Sequence, residues 1–409
     1  MKATFFLLTF MIIMNTTCNM SDDDPGIEPE LTEKTASLIT ASNDFGLDLF
    51  NYIYAYEEDQ ENIMVSPLSV SLALAMTYNG ALTQTKNDME KTLRLSGLTS
   101  EEINTSYYNL IEALKKMDAK VKLEIANAIY YRDDFEVEQD FIKINKKYYD
   151  AEVAPLDFSS DDAVDIINSW VFDHTDGKIE TILERISPLH VMFLLNAIYF
   201  KGTWQKEFNN KSTEALPFYL ENGEHLITET MQRLDTALYT SNELFSAVQL
   251  PYGENNFYMT VFLPNPGINL KDITEKLNKE TWNSWMENFE ITKNIDIKFP
   301  RFKYKYEIML NDVLSEMGMK IAFTSAADFR GINRNGDLLI DYVKHKSFIE
   351  VNEEGTEAAA VTIVAIERTS AGGPEKIPFY VNKPFLYTIT ERSTGAVLFI
   401  GTVKNPNLN

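Results

Sequence analysis

The residues best suited to proton transfer or metal ligation are four histidines, His174, His190, His225 and His345, which are scattered without ligand spacing. A phosphate-binding loop, a dinucleotide-binding glycine pattern, a zinc-protease helix motif and a nucleophile elbow are all missing. A Ser/His/Asp triad is assembled in space, so spacing alone does not exclude one, but nothing in the chain favours it. No catalytic residue, metal ligand or cofactor is therefore assigned. The segment that stands out, residues 355–371, reads GTEAAAVTIVAIERTSA and follows FIEVNEE at residues 348–354. It joins a glycine hinge to small residues and then to β-branched ones. At period two, one face collects Thr356, Ala358, Ala360, Thr362, Val364 and Ile366. The other collects Glu357, Ala359, Val361, Ile363, Ala365 and Glu367. Both charges fall on the second face, so the first can be buried as a strand without a charge penalty. Arg368, Thr369 and Ser370, followed by Gly372, Gly373 and Pro374, read as an exposed, cleavable tip. The residues alone also allow a plain hairpin closed by the Gly-Gly-Pro turn.

Such a segment needs a sheet to enter. Residues 191–200, VMFLLNAIYF, are almost continuously apolar, as in a strand covered on both faces in the middle of a large sheet. Further strands are expected at 123–131, 257–263, 338–351, 385–390 and 397–403. Helical spacing marks Phe45, Leu49, Phe50 and Ile53, and recurs at 101–117, 162–172 and 306–317. Ser66 followed by Pro67 is an N-cap and first-turn pair opening a helix through Met76. Helices come mostly early and strands mostly late, which indicates a mixed α+β domain. From residue 35 to 409 there is no linker, repeat or composition shift, so one large domain is expected.

The chain of 409 residues carries 37 basic and 61 acidic side chains, a net charge of −24, which argues against a nucleic-acid partner. Its single cysteine, Cys18, excludes an intrachain disulfide. Lys2 and the apolar run from Ala3 to Met14 are too short for a stable span but fit an export signal over residues 1–17. Small residues before Cys18 resemble a lipoprotein signal that makes Cys18 the lipidated N-terminus, although Asn15 stands where an aliphatic residue is usual. An ordinary signal peptide is the alternative. Residues 18–34, rich in Asp, Glu, Pro and Gly, read as a flexible acidic tether. The expected protein is exported, anchored at the outer membrane and exposed on the surface.

Six ordered blocks carry a family resemblance: NIMVSPLSVSLALAMTYNGA (62–81), NAIYFKGTWQKEF (196–208), PRFKYKYEIMLNDVLSEMGMKIAF (300–323), ADFRGI (327–332), EEGTEAAAVT (353–362) and NKPFLYTITERSTGAVLFIGTVKNP (382–406). The chain resembles a serpin, of the bacterial lipoprotein type. That resemblance implies a large central β-sheet with further sheets, about nine helices and an exposed reactive loop. It also implies a suicide-substrate inhibitor of serine proteases, and of some cysteine proteases, acting as a monomer in covalent 1:1 complexes. The scissile residue falls on Thr369, with Ser370 after it, for elastase-like or subtilisin-like targets. Arg368 is the alternative for trypsin-like ones. By the same resemblance Glu353, Gly355, Thr356, Ala358, Ala359 and Ala360 form the hinge. Ser66, Ser69, Asn196 and His345 gate the opening of the sheet, while Trp204 and Arg301 mark where insertion starts. A non-inhibitory serpin or a surface binding lipoprotein are the alternatives.

Overall fold

A computed structural model describes residues 32–57, 59–356 and 375–408. Cys18 and residues 19–31 of the tether, and the hinge and reactive-bond residues Ala358, Ala359, Ala360, Arg368, Thr369 and Ser370, lie outside the described residues, whereas the last tether residues, 32–34, are the N-cap and first turn of the helix Glu33–Tyr56. The described residues form nine α-helices and two sheets. The central sheet has six strands in the order Phe302–Met309, Lys344–Val351, Gly355–Thr356, Met192–Thr203, Val121–Arg132 and Glu152–Leu156. All its neighbours are antiparallel except the last pair. The remaining strands run through a nine-stranded sheet that includes Phe257–Pro264, Phe385–Glu391 and Val397–Val403.

The apolar run at 191–200 forms the strand Met192–Thr203, and the packing explains its composition. Met192, Leu194, Ile198 and Phe200 face the main core, while Phe193, Leu195 and Ala197 face a second cluster. That second cluster lies under the helix Ala163–His174, through Ile167, Trp170 and Val171. With both faces covered, neither face needs polar side chains. Beneath the sheet runs the helix Pro67–Tyr78, whose N-cap Ser66 accepts from the Ser69 N–H. The helix Ser100–Lys116 opens with a reciprocal Thr99–Glu102 capping box.

Two expected elements are corrected. Residues 306–317 are not one helix: Phe302–Met309 is a strand, in which Phe302, Tyr304, Tyr306 and Ile308 are buried and the residues between them are exposed. Strict alternation over FKYKYEIM outweighs the helical spacing further on, and helical turns begin only at Asn311, as the short helix Asn311–Leu314 followed by a π turn at Ser315–Met319 and a 3-10 turn at Lys320–Phe323. The strand expected at 338–351 begins at Lys344. Before it the chain bonds to loops instead of a ladder: Ile340 N–H to Ala322 O at 2.9 Å and Val343 N–H to Asn311 Oδ1 at 2.8 Å.

Candidate functional site: a slot in the central sheet

Ladder pairing outlines the site. On one edge, Met192–Thr203 pairs with Val121–Arg132 from Met192 to Gly202. On the other edge, among the described residues, only Gly202 and Thr203 are paired, with Thr356 and Gly355. Lys344–Val351 pairs with Phe302–Met309 at every position, yet on its other edge, among the described residues, only Val351 is paired, again with Thr356. Two parallel walls therefore flank a slot whose top is held by Thr356. A cavity of about 500 Å³ follows the slot, lined by Ser69 and Leu74 below and by Asn196 and His345 from the two walls. Unpaired N–H and C=O groups along such edges favour the addition of another strand.

The top is densely bonded. The Arg301 guanidinium grips Glu353 through Nε at 2.9 and 2.8 Å and Nη2 at 2.5 Å, with Thr213 donating to the same carboxylate. A fork of this kind suits a carboxylate that is 2% exposed. Trp204 donates from its ring to Asn352 O at 2.9 Å and from its backbone to Glu354 O at 2.7 Å. Its indole stacks on Tyr252 at 4.4 Å. The Tyr252 hydroxyl meets Thr356 Oγ1 at 2.7 Å, and Thr356 is 3% exposed. Gly355 has φ of +151°, and a Cβ there would lie 2.0 Å from Gly202 O, so only glycine lets the hinge approach the wall. Burial, with the neighbouring Glu207 and Glu353 carboxylates, pushes the Glu354 carboxyl up.

The middle is polar. His345 is buried, and burial pushes its imidazole down to about 4. Its Nε2 accepts from the Ser66 N–H at 3.2 Å, so the ring is neutral and tied to the helix N-terminus beneath the sheet. Asn196 does not bond to His345. Its Nδ2 donates to Asn127 Oδ1 at 2.7 Å, on the neighbouring strand, and its Oδ1 is buried without a partner among the described residues. Ser347 adds a bond to Met64 O at 2.7 Å. The structure thus gathers Ser66, Ser69 and His345 into one cluster and holds Asn196 on the facing wall.

Tyr252, Thr213, Asn127 and Ser347 escaped the sequence reading. Tyr252 sits in Phe245–Tyr252, a strand buried on both faces, so no alternation marks it out. Ser347 had a usable signal: it shares the buried parity of His345, Ile349 and Val351. Among the described residues no group of three or more His, Cys, Asp or Glu could hold a metal ion.

A family model described as Serpin (serine protease inhibitor) matches residues 40–406. Intracellular coagulation inhibitor 2 of Tachypleus tridentatus is 33% identical over 376 residues, covering 90% of this chain and 91% of its own. The thermophilic serpin Tengpin in its native state superposes with a TM-score of 0.82 at 35% identity, covering 93% of this chain and 97% of that one. Human thyroxine-binding globulin gives 0.82 at 26% identity, covering 91% and 99%. Members of this family are generally protease inhibitors, with proteases as their partners. The chain, matched from residue 40 to residue 406, belongs to the serpin family.

Proposed function

We propose that the protein is a single-use inhibitor of serine proteases. A protease cleaves after Thr369 or Arg368, its serine is held as an ester on the new carboxyl end, and the freed upstream segment enters the slot as a strand. The observation that carries this reading is the double pairing of Thr356, to Val351 on one wall and Gly202 on the other. Continuing that antiparallel register places Ala358 opposite Phe200 and Ile349, Ala360 opposite Ile198 and Ser347, and Thr362 opposite Asn196 and His345. The even face thus meets the main core, and the Thr362 hydroxyl arrives beside Asn196 Oδ1, which has no partner among the described residues. The odd face is covered too. Val361 falls opposite Ala197 and Ile363 opposite Leu195, both in the cluster under Ala163–His174. This accounts for the apolar stretch between Glu357 and Glu367.

Ladder bonds at about 1 kcal/mol each, over some ten residues, are comparable with the ~5–15 kcal/mol that holds a typical protease folded. Insertion can therefore deform an attached protease before the ester is hydrolysed. The small residues of the hinge set this chain apart from the non-inhibitory alternative, which needs a hinge unable to enter. The residues flanking the scissile bond indicate trypsin-like proteases through Arg368 and elastase-like or subtilisin-like ones through Thr369. The leader and Cys18 support export and lipid anchoring. The test is to mix the full chain with trypsin-like and elastase-like proteases and resolve the products on denaturing gels. A covalent band at the summed mass is expected, and loop cleavage without any such band contradicts the proposal.

A further inference from the structure

We infer that His190 and Asp341 are positioning residues that tie the two walls together at the foot of the slot and govern the last stage of strand insertion. The inference rests on the insertion reading above. His190 Nε2 and Asp341 Oδ2 lie 2.7 Å apart. The Ser187 N–H donates to His190 Nδ1 at 3.1 Å, so Nδ1 carries a lone pair and Nε2 carries the hydrogen. A neutral imidazole thus donates a charge-assisted hydrogen bond to the carboxylate.

The partners belong to opposite walls, and each is fixed to its own. On the first wall, Val191 O accepts from the Arg132 N–H at 2.9 Å and Pro188 O from Arg132 Nη1 at 3.1 Å. On the second, Asn311 Nδ2 donates to Asp341 O at 2.7 Å, and its Oδ1 accepts from the Val343 N–H at 2.8 Å. Because neither backbone can follow the other, separating the walls at this level breaks the side-chain bond. The His190 ring also stands edge-on to Phe193 at 5.3 Å and Tyr342 at 5.7 Å. All four side chains line the cavity.

In the register set by Thr356, Ile366 arrives opposite Met192, two residues from His190 on the same wall. Residues up to Ala365 can enter with the tie intact. Ile366 and the ester-bearing end behind it cannot reach the foot until the tie opens. The tie therefore acts after capture of the loop and before the protease is carried its full distance.

The experiment compares full-length parent, His190→Ala, His190→Gln and Asp341→Ala. The readouts are the fraction of encounters ending in covalent complex, the half-life of inhibitory capacity without protease, and the rate at which the cut chain acquires a raised melting temperature. Asp341 is 64% exposed at its side chain, so its substitution leaves folding intact. His190→Ala and Asp341→Ala are expected to speed uncut-loop insertion and cut-chain stabilisation several-fold and to raise the complex fraction. His190→Gln, which keeps a donor, is expected to stay within about twofold of the parent. Parental rates in both His190→Ala and Asp341→Ala overturn the inference. Equal acceleration in His190→Gln and His190→Ala overturns it too, because the ring packing and not the bond would be responsible. If the parent yields no covalent complex, the inhibitory reading fails separately, and the stabilisation rate of the cut chain still decides whether the tie exists.

Discussion

The two ends of the slot are held by different means. At the top, Trp204 stacks on Tyr252, Tyr252 bonds the buried hydroxyl of Thr356, and Arg301 grips Glu353 with a two-nitrogen fork. At the foot, one hydrogen bond joins His190, 12% exposed at its side chain, to the largely solvated Asp341. Desolvated pairs are strongly destabilised when one partner is removed, whereas solvated ones yield at little cost. The difference gives insertion a direction. It starts from a residue already in place and ends by breaking a weak bond.

The top can be broken most severely at Thr356. Thr356→Arg places a guanidinium at the buried contact between Tyr252 and Thr356, at a cost of several kcal/mol. The chain is expected to become a substrate, with its covalent-complex fraction falling at least about tenfold on gels. Undiminished complex would show that the top does not require burial of this side chain.

Acid attacks the stretch between the two ends. Burial holds the His345 pKa near 4, against ~6.5 in the unfolded chain, so the unfolded state takes up the proton first. The stabilisation is fully present above pH ~6.5 and is lost as pH falls towards 4, by about 3 kcal/mol for this group. Urea titrations across that range are expected to show parent and His345→Asn differing by about this amount in the stability lost between pH ~6.5 and 4. Identical losses would remove His345 as the acid-labile point.

The smallest effect sharpens the account of the top. Tyr252→Phe or Thr356→Val alone leaves one buried hydroxyl unpaired, at about 1–3 kcal/mol, while the double substitution is expected to recover most of that loss. Both melting temperature and complex fraction should show the recovery. Additive losses would mean that the 2.7 Å contact does not couple the two residues.

Much of this was legible in the chain. The alternation from Thr356 to Glu367 marks a segment with a buriable face, and the run at 191–200 marks the sheet that receives it. The Ser66–Pro67 pair marks the helix under the slot. What remained hidden depends on contacts distant in sequence. Tyr252 meets Thr356 across 104 positions, and Asn196 turns to Asn127 instead of His345. Residues 338–343 contain enough apolar side chains to read as strand, yet their backbone bonds go to Ala322 and Asn311, which composition does not reveal. The apolar odd face of the loop had no reading until Ala163–His174 was seen to cover that side of the sheet.

The most direct test of the slot is hydrogen exchange on its walls before and after the loop is cut. The account predicts that backbone amides facing the slot in Met192–Thr203 and Lys344–Val351 gain protection once the loop is cleaved, while amides paired with Val121–Arg132 and Phe302–Met309 stay as they were. Unchanged exchange along both walls after complete cleavage would contradict it.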